Sequence, residues 1–393
     1  MPGKTRTTFR DRLPPDGTKR LLALDGGGIR GLISLEILGR LETLLRDALG
    51  AGDDFVLADY FDYVAGTSTG AIIATCISLG YSIEEIRNFY LEGAQAMFRR
   101  APLVKQFYYR NVATSLTARL QELFRHPDGA PMTLGDDDLR TLLLVVMKNA
   151  TTNSPWPLSN NPRAKYNDRE HPGCNLDLPL WKIVRASTAA PVYFPPEDVT
   201  VGGERFVFVD GAISVYNNPA FLLFTMATLP EYRLGWQADE DRMLLVSVGT
   251  GALSGADPAL KASQMTLLYH ARTVPAALLD ACHTEQDMLC RMVGRCRFGD
   301  PLDTEIGDMI QGDGAPAGDG GGPFPARKFT YLRYNPVVTR EGLAELGLSG
   351  VRPEHVQQID SPNYLAELIE VGRAYARRLD LAQFGAFPIG STR

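Results

Sequence analysis

The chain has 393 residues, 45% hydrophobic and 22% charged, enough for a buried core without a disulfide framework. Forty basic against 46 acidic residues give a net charge of −6, which argues against a dedicated nucleic-acid binder, whose binding domain would carry net positive charge. Five widely spaced cysteines exclude a small disulfide scaffold. Residues 1–20 hold six basic and two acidic residues and no apolar run, so they do not read as a secretory signal, and a reducing cytoplasm is the expected location.

Residues 1–18 read as a flexible arm. Leu21 to Leu24 is an apolar run too short for a helix and suited to a buried parallel strand. After Asp25-Gly26-Gly27-Gly28, the leucines at 35, 38, 41, 45 and 49 recur in steps of three and four, which predicts an amphipathic helix over 32–49 closed by Gly50. Phe61 to Ala65 is a second strand, followed by Gly66-Thr67-Ser68-Thr69-Gly70 and a buried helix over 71–79 ended by Gly80. Leu142 to Met147, Phe206 to Val209 and Leu244 to Val248 supply three further strands. Such alternation predicts a three-layer αβα sandwich with a mostly parallel central sheet. Residues 151–180, rich in Asn, Pro and Asp, read as loop, and 311–323, with six glycines and two prolines, as a mobile loop. Tyr364 to Leu379 reads as a closing helix of a helical C-terminal extension. The expected organisation is an arm over 1–18, a core over 20–225, and a part over 226–393 that completes the α/β fold.

Two stretches of 20 residues, Val64 to Ile83 and Gly211 to Pro230, lack charge. The first opens on Gly, Thr and Ser, and the second contains Asn217, Asn218 and Pro219. Both therefore read as interior segments and not as membrane spans.

Three motifs stand at strand ends, where α/β sheets place ligands and reactive groups. Gly26-x-Gly28-x-x-Gly31 fits a dinucleotide turn by spacing, but Asp53 and Asp54 precede the next strand instead of ending it, and an unrelated turn or an anion or oxyanion cradle fits better. Gly66-x-Ser68-x-Gly70 has the form of a sharp strand-to-helix turn that exposes a nucleophile, its glycines letting neighbouring backbones approach. Asp210-Gly211-Ala212 closes an apolar strand and reads either as a second reactive group or as an ordinary Asp-Gly turn.

Together and in this order, Asp25-Gly26-Gly27-Gly28-Ile29-Arg30-Gly31, Gly66-Thr67-Ser68-Thr69-Gly70 and Asp210-Gly211-Ala212 resemble the patatin-like phospholipase family. The segment Thr188 to Pro196 is similar to the one that precedes the catalytic Asp in plant-type members. The resemblance covers residues 20–225. It implies a Ser–Asp dyad with Ser68 as nucleophile and Asp210 as base. It places the oxyanion hole on Gly26, Gly27, Gly28, Ile29 and Arg30, with Gly31, Gly66, Gly70, Gly211 and Ala212 supporting the motifs. It implies hydrolysis of fatty-acyl esters of membrane lipids through an acyl-enzyme, with no cofactor and no metal. Some members are regulated bacterial effectors that degrade membranes. The implied partners are membrane phospholipid or another acyl lipid and a transient membrane surface, with no nucleic acid and an activator left open. The same dyad could transfer the acyl group to an alcohol, and the same turn could serve a nucleotide- or lipid-binding regulator.

An ordinary Asp, with a pKa near 3.9, is a poor acceptor of a serine proton, so burial has to raise it. A conventional triad would draw on His270, His283 or His355 by chain order, but none stands in a glycine-rich strand end. Met97 to Arg110 interleaves Arg99 and Arg100 with Phe107, Tyr108 and Tyr109, a composition suited to a headgroup interface or, equally, to a packed helix end. Cys282, His283, Cys290 and Cys296 lack the spacing of a zinc site, and Asp136-Asp137-Asp138 lacks the pattern of a calcium loop.

Overall fold

A computed structural model describes residues 7–97, 110–191, 193–253, 260–303, 305–310, 326–360 and 362–387. In chain order the elements are β1 (Lys19–Leu24), α1 (Gly31–Leu49), α2 (Leu57–Tyr60), β2 (Tyr63–Thr67), α3 (Thr69–Leu79), α4 (Ile83–Met97), α5 (Arg110–Leu123), β3 (Leu142–Asn149), β4 (Ser154–Ser159), α6 (Leu180–Ser187), β5 (Glu197–Val201), β6 (Glu204–Asp210), α7 (Ala220–Thr228), β7 (Met243–Val248), α8 (Leu267–Val293), β8 (Arg295–Phe298), β9 (Thr330–Tyr334), α9 (Arg340–Glu345), α10 (Pro353–Val356) and α11 (Leu365–Ala376).

The predicted strands and helices recur with shifts of a few residues. Each forms for the expected reason: β1, β2, β3 and β7 are buried almost throughout, as strands covered on both faces must be. Gly50 and Gly80 close α1 and α3 in the left-handed conformation. The main sheet path runs β5-β6-β3-β2-β1-β7-β9-β8, with β4 paired to β3. β3, β2, β1, β7, β9 and β8 run parallel to one another, while β4 and β6 run antiparallel to β3, and β5 antiparallel to β6. Helices flank the sheet in two groups, α3 with α4, α5, α6, α1 and α11, and α7 with α8.

Two expectations are corrected. The part of the expected arm that is described is docked: Phe9 is buried, and Arg12 pairs with buried Asp62 at 3.1 Å. The span 151–180 contains β4, whose Pro155 and Pro157 fit a strand that pairs on one side only. The part over 226–393 supplies β7, β9 and β8, which carry one flank of the sheet. The glycine-rich span 311–323 and the patch residues Arg99, Arg100, Phe107, Tyr108 and Tyr109 lie outside the described residues.

Candidate active site

The site forms where two strands meet end to end on β3. Residues 142–146 of β3 pair with β2, residues 147–149 pair with β6, and 144–149 pair with β4. A strand has two edges, so β2 and β6 share one of them and β4 takes the other. Thr67, the last residue of β2, stands opposite Val146; Asp210, the last residue of β6, stands opposite Met147. The C-terminal ends of β2 and β6 therefore face each other across one ladder step. Ser68 and Asp210, 142 residues apart in sequence, meet there, and Ser68 Oγ donates to Asp210 Oδ2 at 2.7 Å.

Ser68 has φ 54° and ψ −122°, a conformation that costs a non-glycine residue of order 1–3 kcal/mol and persists only where the surroundings impose it. The crossing backbones impose it here. A Cβ on Gly70 would stand 2.3 Å from the Leu24 carbonyl oxygen, and one on Gly66 would strike the main chain of Gly70. Gly211 meets the same constraint on the Asp210 side, where a Cβ would lie 2.3 Å from the Val146 carbonyl oxygen. Ser187, which the sequence reading missed, fastens the elbow: its Oγ accepts the Ser68 N–H at 2.9 Å and donates to the Val146 carbonyl at 2.6 Å.

Asp210 is 2% exposed. Burial pushes its acid up from 3.8 to about 6, against the opposing pull of the Ala212 N–H, the Ser68 hydroxyl and the Arg185 guanidinium. The Ala212 N–H donates to Oδ1 at 2.8 Å, leaving Oδ2 for Ser68. Such a raised pKa makes the carboxylate a better proton acceptor near neutral pH.

The Gly26–Gly31 turn packs against this pair: a Cβ on Gly26 would lie 3.1 Å from the Ser68 Cβ. Its five expected oxyanion residues divide. The Gly26 N–H donates to the Asn217 carbonyl, Ile29 to Ile359 and Arg30 to Gly27. These three main-chain N–H groups already have acceptors within the protein. Gly27 and Gly28 retain N–H groups with no acceptor among the described residues. Arg30 is buried, donates to the Gly251 carbonyl at 3.2 Å and is pushed down to about 10 by burial, with Asp25 and Asp280 pulling the other way. Gly31 packs against Thr69 of the elbow.

Asp25, at the head of the turn, is gripped by Arg333 at 3.0 and 2.5 Å. Arg333 comes from β9 and also donates to Ser247 Oγ at 2.7 Å. The charge pattern of β9 gave no sequence signal for this role. His355 pairs with Glu367 and stacks on Tyr364, His270 is exposed on α8, and His283 touches Asn217 and Asp25. None of the three touches Ser68. Away from this site, His126, Asp136 and Asp138 gather their polar atoms within 4.8 Å, a cluster closed by the His126–Asp136 contact at 2.7 Å.

The model of the patatin-like phospholipase family matches residues 22–224, more than half of the chain. The chain belongs to this family. It is 30% identical over 263 residues to Patatin-17 of Solanum cardiophyllum, covering 62% of the chain and 63% of that protein. It is 29% identical over 263 residues to Patatin-2-Kuras 1 of Solanum tuberosum, covering 62% and 65%. The chain thus spans less than two thirds of the length of these relatives. Among solved structures it is similar to VipD from Legionella pneumophila, with a TM-score of 0.38 and 14% identity, over 92% of this chain and 66% of that one. The family match ends near α7, so the residues that hold the turn from β7, β9 and the 359 loop lie beyond it.

Proposed function

We propose that the protein is a lipid acyl hydrolase of the phospholipase A or lysophospholipase type, working through a Ser68–Asp210 dyad. The observation that carries this reading is the 2.7 Å bond between Ser68 Oγ, on its strained elbow, and the raised Asp210 carboxylate. Family membership supports the lipid ester as substrate class.

Ser68 Oγ attacks the ester carbonyl carbon while its proton passes to Asp210 Oδ2. The carbonyl oxygen becomes an oxyanion, held by the Gly27 and Gly28 N–H groups at the start of a helical turn. Collapse breaks the bond to the alcohol, which leaves with the proton from Asp210, and the acyl group stays on Ser68. Water then attacks the acyl-enzyme, giving its proton to Asp210. The fatty acid departs, and Ser68 recovers the proton. Histidine is not required, because burial already places the carboxylate within reach of neutral pH. The substrate lies in a membrane surface that the enzyme visits from the aqueous side; among the described residues no helix is long and apolar enough to cross a membrane.

A serine-directed fluorophosphonate probe tests the reading, together with fatty-acid release from phosphatidylcholine vesicles. Labelling at Ser68, with release by the wild type and none by Ser68→Ala or Asp210→Ala, is the expected result. A folded wild type that neither labels nor releases fatty acid would sink it.

A further inference from the structure

Asn217 follows Asp210 by seven residues and interrupts the uncharged stretch 211–230. Its carbonyl accepts the Gly26 N–H at 3.1 Å, which ties it to the turn. Its side-chain amide lies between two groups. Nδ2 is 2.8 Å from His283 Nε2 on α8. Oδ1 is buried and has no hydrogen-bond partner among the described residues. That oxygen stands 2.2 Å from the point where a Cβ on Gly26 would lie; the Ser68 Cβ is 3.1 Å, and the Thr67 carbonyl oxygen 3.3 Å, from the same point. The amide end therefore sits beside the nucleophile.

This orientation has two faults. A buried carbonyl without a donor is destabilising. In addition, His283 Nε2 faces Asp25 Oδ2 at 3.4 Å, and a neighbouring carboxylate favours the proton on that nitrogen. An Nε2–H would then meet Asn217 Nδ2, donor against donor. The oxygen and nitrogen of an amide have nearly the same shape, and their places follow from their partners. Half a turn of the Asn217 amide removes the second fault and turns the unpaired carbonyl into an N–H donor that still needs an acceptor. Oδ1 then accepts the His283 Nε2–H, and Nδ2 takes the buried place against Gly26 and Ser68.

We propose that Asn217, so oriented, is a further catalytic residue that donates a side-chain N–H to the developing oxyanion, with His283 as its positioning residue. The proposal rests on the acyl-hydrolase reading above. No proton is transferred in this contact. As Ser68 Oγ bonds to the ester carbon, the carbonyl oxygen gains charge, and the Nδ2–H joins the Gly27 and Gly28 N–H groups in holding it. A donor that strengthens only as charge develops raises kcat and leaves KM nearly unchanged. His283 is suited to a neutral role, since burial pushes its pKa down.

The test compares full-length wild type, Asn217→Ala, Asn217→Asp, His283→Leu and His283→Gln on p-nitrophenyl butyrate, with the thermal midpoint as a control on folding. Asn217→Ala is expected to lower kcat about 10²–10³-fold with little change in KM. Asn217→Asp keeps the shape and can still accept from His283, but places oxygen where the donor was, so it should not restore the rate. His283→Leu should lower kcat in the same direction, and His283→Gln, which can still donate to Oδ1, should recover part of it. An Asn217→Ala enzyme with near wild-type kcat would overturn the proposal. So would an Asn217→Asp enzyme with near wild-type kcat, since shape alone would then suffice; that isosteric variant decides the matter if Asn217→Ala fails to fold. Either result beside an active wild type overturns this inference alone, whereas a wild type no faster than Ser68→Ala overturns the acyl-hydrolase reading and the inference together.

Discussion

The two flanks of the sheet differ in kind. On one flank, β1, β2 and β6 end at the turns that carry Gly27, Gly28, Ser68 and Asp210, with β3 beside them. On the other, β7, β9 and β8 present none of these groups and hold the turns from behind. The Asp25 N–H donates to the Val248 carbonyl at 3.1 Å. Ser34 Oγ donates to the Gly249 carbonyl at 2.8 Å, and Thr250 Oγ1 to the Gly26 carbonyl at 2.9 Å. Arg333 grips Asp25, and the Ile359 carbonyl takes the Ile29 N–H. The first flank keeps its shape through main-chain crowding, whereas the second holds the turn at long range through both side-chain and main-chain hydrogen bonds. Changes to the reacting side chains of the first should therefore cost rate without loss of stability, and changes in the second should cost both.

The largest effect expected is that of Ser68→Ala. It should lower kcat about 10⁴-fold or more while the thermal midpoint stays in place; a midpoint that fell with activity would break the comparison. Arg333→Met comes next. It strands the buried Asp25 carboxylate, and losing one partner of a buried pair costs about 3–5 kcal/mol, so chemical denaturation should show a much weaker fold along with slower turnover. A variant as stable as the wild type would show that the second flank is dispensable.

Asp210→Asn sharpens the comparison through pH. The native carboxyl, raised from 3.8 to about 6, keeps a proton between those values that the unfolded chain has lost. Stability therefore falls as pH rises through that window, by on the order of 2–3 kcal/mol. Urea unfolding should find Asp210→Asn more stable than wild type at pH 8, with the gap closing near pH 3. Wild-type kcat/KM should rise with pH through about 6 and then level. The smallest effect belongs to Thr250→Val, which removes one hydrogen bond to the turn. It should cost about 1 kcal/mol and slow ester hydrolysis a few-fold.

What could be read from the sequence follows the same division. β1, α1, β2, α3 and β6 announce themselves because apolar runs are cut by glycines that the crossing backbones require. Ser68 and Asp210 fall at those cuts. β4 was hidden by its two prolines, and β8 and β9 by Arg295, Arg297 and Arg333, charges that local periodicity assigns to solvent. Ser187, Asn217 and Arg333 carry no local mark, because each gains its role from a partner far away in the chain; for Arg333 and Asp25 the separation is 308 residues. Nor can a glycine-rich run say which of its N–H groups will be free. That depends on Asn217 and Ile359, whose carbonyls claim two of them.

The end-to-end meeting of β2 and β6 on β3 also limits how the proposed site can be adjusted. Ladder register changes only in whole residues, and a one-residue slip in β6 would turn Asp210 to the opposite face of the sheet. The Ser68–Asp210 spacing is therefore close to all-or-none, unsuited to gradual tuning by insertion, deletion or gentle strain. The Gly26–Gly31 turn is different, because side chains from distant elements hold it and each can be loosened separately. Graded control of turnover, whether by selection or by design, has its room there, in the grip on the turn and not in the distance between the two reacting groups.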